Sequence, residues 1–135
     1  MKLEFKEDSI PFRDIEEKDD KKERVDLKSQ SFSLWNKTKN GESFSKYHKK
    51  GTFFGYKKID RNKSIGTIVS SNGTQEWHDK YYRTLNDNEL KKAGTYPIDY
   101  NFKTIQPKYL IGMSVPPVMM AQISHQIYLQ WLKGN

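Results

Sequence analysis

From residue 14 to residue 28 the chain alternates charge signs (DIEEKDDKKERVDLK) and holds few apolar residues, the pattern of a flexible linker or a solvated helical stretch. Just before it, residues 9–15 (SIPFRDI) offer a few apolar anchors suited to docking. Between residues 30 and 70 the rhythm shortens. Aromatic and β-branched runs (SFSLW, GTFFGYKKI, IGTIVSS) are separated by the turn signals Asn40-Gly41, Asp60-Arg61-Asn62 and Asn72-Gly73. Such alternation predicts three or four small antiparallel strands, with Gly51, Gly55 and Gly66 at loops or bulges. Near residue 86 the period lengthens. Asn86 with Glu89 three positions on marks a helix start, Leu90 and Ala93 continue one face, and Gly94 ends it. An aromatic connection (TYPIDYNF) follows. Pro116-Pro117 then opens the clearest element, where Met120, Ile123, Ile127 and Trp131 recur at helical spacing. That stripe reads as a packing face.

These shifts divide the chain into a charged leader (1–28), a β-rich region (29–82) and a helical C-terminal part (83–135). The expected fold is α+β: a small antiparallel region, a short helix with an aromatic loop (83–110), and a C-terminal helix (116–132). No internal repeat is visible.

Composition narrows the chemistry. Cys is absent from the 135 residues, which excludes disulfides, thiolate metal sites and a cysteine nucleophile. The three histidines, His48, His78 and His125, are too scattered for a metal-ligand spacing and read as structural or surface residues. Glu89 fits a capping box and Asp99 a turn, so neither is assigned catalysis. Apolar stretches are too short for a membrane span, and charged residues follow Met1 where a secretory signal would be apolar, so a cytoplasmic location is expected.

Charge points to a partner. The net of +7 is unevenly spread, because residues 36–63 alone carry nine Lys/Arg against two carboxylates, Glu42 and Asp60. Such a patch favours a polyanion, since neutralising phosphates releases counterions. A lysine-rich surface that keeps the chain soluble is the plain alternative.

Two C-terminal segments carry a resemblance. The stretch RTLNDNELKKAGTYPIDYNF (83–102) resembles the ninth conserved block of DNA cytosine-5 methyltransferases, with Arg83, Leu85, Glu89, Tyr96, Pro97 and Tyr100 in matching places. YLIGMSVPPVMMAQISHQI (109–127) resembles the tenth, although Met113 stands where the family prefers Asn. Ala93-Gly94 likewise replace a bulky apolar residue and Gln of many relatives. Upstream, IGTIVSSNG (65–73) is similar to the Thr-Ile or Thr-Leu pair of the family's variable target recognition region, with Thr67-Ile68 as the pair. The chain lacks the Pro-Cys loop, the Glu-Asn-Val loop and the Gly-rich cofactor turn.

The resemblance implies the target-recognition and closing part of a cytosine-5 methyltransferase, inactive alone. Restriction-modification is its usual setting, and the thiol would come from a partner chain carrying the Pro-Cys loop. It implies duplex DNA as partner, with Lys49, Lys50, Lys57, Lys58, Arg61 and Lys63 on phosphates, and Thr67 near the sugar-phosphate of the flipped base. Arg83 would tie the recognition region to the ninth-block helix. Base reading would fall to Asn40, Arg61, Asn62, Ser70, Ser71, Asn72 or Gln75. Gly112, Ser114 and Val115 would line part of an S-adenosylmethionine pocket, and the last helix would pack on the catalytic domain. Two other readings stand beside it: a stand-alone basic DNA-binding module, and a non-functional remnant of a truncated methyltransferase gene.

Overall fold

A computed structural model of the chain describes residues 8–18, 28–71 and 73–133. Asn72 and most of the charged stretch after Lys18 lie outside them. The elements are α1 (Phe12–Ile15), α2 (Gln30–Lys37), a 3-10 turn (Phe44–Tyr47), β1 (Tyr56–Lys58) and β2 (Gln75–Trp77). Then come α3 (Asp87–Ala93), α4 (Pro107–Met113) and α5 (Pro117–Ile127), the last continued by a π-helical turn (Tyr128–Leu132).

The fold is α+β, but the β part departs from the antiparallel expectation. Its one sheet among the described residues is a two-stranded ribbon with parallel β1 and β2, Lys57 opposite Glu76 and Lys58 opposite Trp77. The chain leaves β1, makes a long excursion through residues 59–74, and returns in the same direction, which parallel pairing requires. Antiparallel pairing survives only as isolated bridges, Ser43 with Lys57 and Trp77 with Thr84.

SFSLW, expected as a strand, is helical. Ser29 caps α2 by accepting a hydrogen bond from the Phe32 N–H, and Thr38 closes it by donating its hydroxyl to the Leu34 carbonyl at 2.7 Å. In so short a run, apolar order fits either period, and the cap decides. IGTIVSS forms no ladder. GTFFGYKKI contributes only its last part to β1, because Phe53 adopts φ +67° and breaks the extended run.

Two apolar clusters hold these elements. Leu34, Trp35, Phe44 and Trp77 pack α2 and the 3-10 turn onto the ribbon, with Tyr82 stacked on Trp77 at 4.9 Å between centroids. Phe12, Ile59, Leu85, Leu90, Phe102 and Ile111 form the second cluster, which unites the N-terminal turn with α3 and α4. The anchors expected in residues 9–15 do dock: Phe12 is fully buried, and its N–H donates to the Lys63 carbonyl at 2.9 Å.

α3 and α5 begin where the sequence marks them. Asn86 and Glu89 form the reciprocal capping box of α3. Gly94 ends that helix at φ −80°, and the left-handed turn falls instead on Thr95, at φ +58°. Gly94 is needed for packing, since a Cβ there would lie 2.8 Å from the Ile111 side chain of α4. Tyr109 to Met113, for which the sequence pattern gives no helix, is helical because Pro107 opens α4 two residues earlier.

Candidate nucleic-acid interface

The segments singled out by sequence meet at one place. Thr67 and Ile68, Gly94 and Thr95 after α3, and Gly112, Ser114 and Pro116 around the α4–α5 junction line a cavity of about 530 Å³. The Tyr96 hydroxyl donates to Ser114 Oγ at 2.6 Å, and Ser114 Oγ donates to the Ile111 carbonyl. Thr95 Oγ1 accepts from the Val118 N–H at 3.2 Å, capping α5 from outside it. A β-branched residue at positive φ is strained. That strain places the Thr95 hydroxyl against the start of α5.

Gly112 seats α4 on the backbone of residues 69–70. A Cβ there would stand 2.3 Å from the Ser70 nitrogen and 2.5 Å from the Val69 carbonyl carbon, both backbone atoms. Gly112→Ala is therefore expected to push α4 off residues 69–70 and cost about 1–3 kcal/mol, the usual range for overpacking. Thermal denaturation of the variant checks this.

The basic residues divide into free and committed ones. Lys49, Lys50, Lys57 and Lys63 are exposed, Lys63 with a loose ion pair to Asp60 at 3.6 Å. Thr67 is exposed as well. Lys58, expected on phosphate, is turned inward. Its Nζ donates to the Trp35 carbonyl at 3.2 Å and lies 4.1 Å from the Trp35 ring, and burial pushes its pKa down. Arg61, expected on phosphate or guanine, pairs with Glu16 and with Asp79. Arg83 is buried and bidentate on Glu89, Nη1 to Oε2 at 2.7 Å and Nη2 to Oε1 at 2.9 Å. It thus joins residue 83, just after the β-rich region, to the first turn of α3. Among the base-reading candidates Asn40, Asn62 and Ser71 are exposed, and Asn72 lies outside the described residues.

Glu16, His78 and Asp79 bring three potential metal ligands together, and His78 is fully buried. The ring's hydrogen bonds decide its state. Nδ1 accepts from the N–H groups of Lys80 (3.0 Å) and Tyr81 (3.3 Å), so in the neutral ring the proton sits on Nε2, facing Glu16 Oε1 at 3.3 Å. A protonated Nε2 cannot ligate a cation. Burial, then the nearby Arg83 charge, pushes the His78 pKa down and keeps the ring neutral. The cluster is a clasp on the N-terminal segment, reinforced by Lys80 on Glu16, Lys92 on Glu17, and the Glu17 N–H donating to Glu89.

Sequence reasoning missed Glu16 and Glu17 in this clasp, and missed Glu76. The first two sit in a run of alternating charges, where nothing separates a structural carboxylate from a solvating one. Glu76 was legible only as the residue before Trp77.

Among the described residues the C-terminal helix touches the rest of the fold at its start, where Thr95 caps it, and buries no side chain. No residue of α5 or of its π-helical extension is buried, and Val118, Met119, Met120, Tyr128, Trp131 and Leu132 are 45–64% exposed. No helix among the described residues is long and apolar enough to cross a membrane.

The family model of the C-5 cytosine-specific DNA methylases matches residues 4–129. The chain belongs to that family. No curated protein and no solved structure matches it. The family methylates cytosine in DNA, using S-adenosylmethionine as methyl donor.

Proposed function

We propose that this chain is the DNA-gripping, target-recognising part of a cytosine-5 methyltransferase whose thiol comes from a partner chain carrying the Pro-Cys loop. The observation that carries the proposal is the pairing of a family match across residues 4–129 with a complete absence of cysteine. Cytosine C6 is attacked by a thiolate in this chemistry, and no other side chain here replaces it. What these residues supply is grip. Extruding a base costs unstacking energy, which contacts to backbone and neighbouring bases offset.

Lys49, Lys50, Lys57 and Lys63 are the exposed cations for phosphate, and Thr67, exposed as well, belongs to the recognition segment. Lys58, Arg61 and Arg83 act within the fold, holding that surface in shape. S-adenosylmethionine, when bound, supplies the methyl group. Ser114 and Val115, exposed between α4 and α5, fit one edge of its pocket, while Gly112 sets their distance from residues 69–70. The catalytic partner covers the apolar face of α5, which an isolated soluble chain would leave as an interaction patch.

Two measurements test this. Duplex binding by the full-length chain should weaken steeply with salt, and replacing Lys49, Lys50, Lys57 and Lys63 by alanine should flatten the log–log slope by about 0.9 for each phosphate that is no longer neutralised. An unchanged slope overturns the assignment of these lysines. Co-expression with a family chain carrying the Pro-Cys loop should raise methyl transfer to DNA above that of either chain alone. Absence of any gain overturns the partner reading and leaves a stand-alone DNA-binding module or a remnant.

A further inference from the structure

Glu76 stands apart from the other carboxylates. Among the described residues it is the half-buried one with neither a hydrogen bond nor an ion pair. Trp77, next on β2, turns into the aromatic cluster, so Glu76 faces the opposite side of the ribbon. There it lines a cleft of about 330 Å³ with Thr67, Gln75 and Thr84 as further polar groups and Ile68 and Leu85 among its apolar walls. Gly66 makes room for it, because a Cβ at that position would lie 2.6 Å from Glu76 Oε1. Burial raises the carboxyl's pKa, partly offset by the Lys57 charge opposite it.

The carboxylate oxygens of Glu76 keep contact with solvent, so they stay open to a donor brought by a ligand. Cations flank the cleft: Lys57 across the ribbon, and Lys108, whose Nζ is fixed on the Ser71 and Thr74 carbonyls. An amino group carried on a phosphodiester chain would be attracted on both counts. Among bases, adenine places its N7 acceptor beside N6 and opposes a carboxylate, whereas cytosine offers N4–H₂ alone in the major groove. We infer that Glu76 is a specificity-determining residue that accepts a hydrogen bond from the exocyclic amino group of a cytosine in the recognised DNA. This rests on the DNA-gripping reading above.

Selection from a random duplex pool at low ionic strength, with the full-length chain and its E76Q and E76A variants, tests the assignment. E76Q preserves side-chain shape, so folding does not confound it. The wild-type chain should enrich sites with one fixed cytosine. E76Q should exchange that cytosine for adenine, since a glutamine amide matches N6 and N7, and E76A should lose about tenfold of preference at that position alone. Salt dependence should stay that of the wild type. Identical sites for all three proteins, no enrichment by a wild-type chain that binds duplex, or a uniform gain in affinity on removing the charge would each overturn Glu76 as a reader and leave the grip intact. A wild-type chain that binds no duplex overturns both.

Discussion

Phe12→Ala is expected to lower the melting temperature by about 10–20 °C. Phe12 lies in the stretch whose charge pattern suggests a leader, yet it is fully buried at the junction of Ile59, Leu85, Leu90, Phe102 and Ile111. Its ring meets the His78 imidazole edge-on at 5.2 Å, and its N–H and that of Arg13 bond to the carbonyls of Lys63 and Arg61. Removing such a ring costs about 3–5 kcal/mol in transfer energy and residual cavity. A chain of this size loses roughly 4 °C for each kcal/mol. Ile10→Ala, at an exposed neighbour, serves as the control and should leave the transition in place. Circular dichroism melts of both variants decide the matter, and an unshifted Phe12→Ala would mean that the segment is not part of the core.

The second large effect belongs to Arg83. Arg83→Leu leaves Glu89, fully buried, without its bidentate partner, and breaking a buried pair from one side costs about 3–5 kcal/mol. Replacing both residues with leucine should recover much of that loss, because the uncompensated charge disappears with its partner. Acid should reproduce part of the single-variant effect. Burial by itself raises the Glu89 carboxyl, but Arg83 and the N–H groups of Asn86 and Glu17 outweigh it and hold the pKa below the ordinary 4.5. A carboxyl lowered on folding contributes stability that is complete above its unfolded value and is lost as pH falls through the folded one. Wild-type stability should therefore decline below about pH 4.5. In Glu89→Gln that component of the decline should vanish, and parallel wild-type and variant pH profiles would refute the assignment.

What sequence could reveal follows from the range of the forces involved. The capping box of Asn86 and Glu89 and the proline opening of α5 are local, and each stands where the pattern places it. The family relation was legible as well, and Thr95, Gly112 and Ser114 come together around one cavity. The β region was misread because its strands are three residues long, shorter than the alternation needed to tell period 2 from a capped helical turn. Lys58 shows the same limit in charge. A lysine in a basic run reads as surface, and only the position of Trp35 on α2 turns it inward. Arg61 and Glu16 are paired across 45 residues of sequence, a separation at which residue type carries no sign of partnership.

The direction of the β1–β2 pairing bears on the order of folding. A hairpin zips from its turn, but these two strands run alike, and nothing local can bring them together. The excursion through residues 59–74 must first close as a loop, with its entropy cost met before any ladder bond forms. Amide protection along Tyr56–Lys58 and Gln75–Trp77 should consequently arise late in refolding, after the capped turn of α3 has already nucleated.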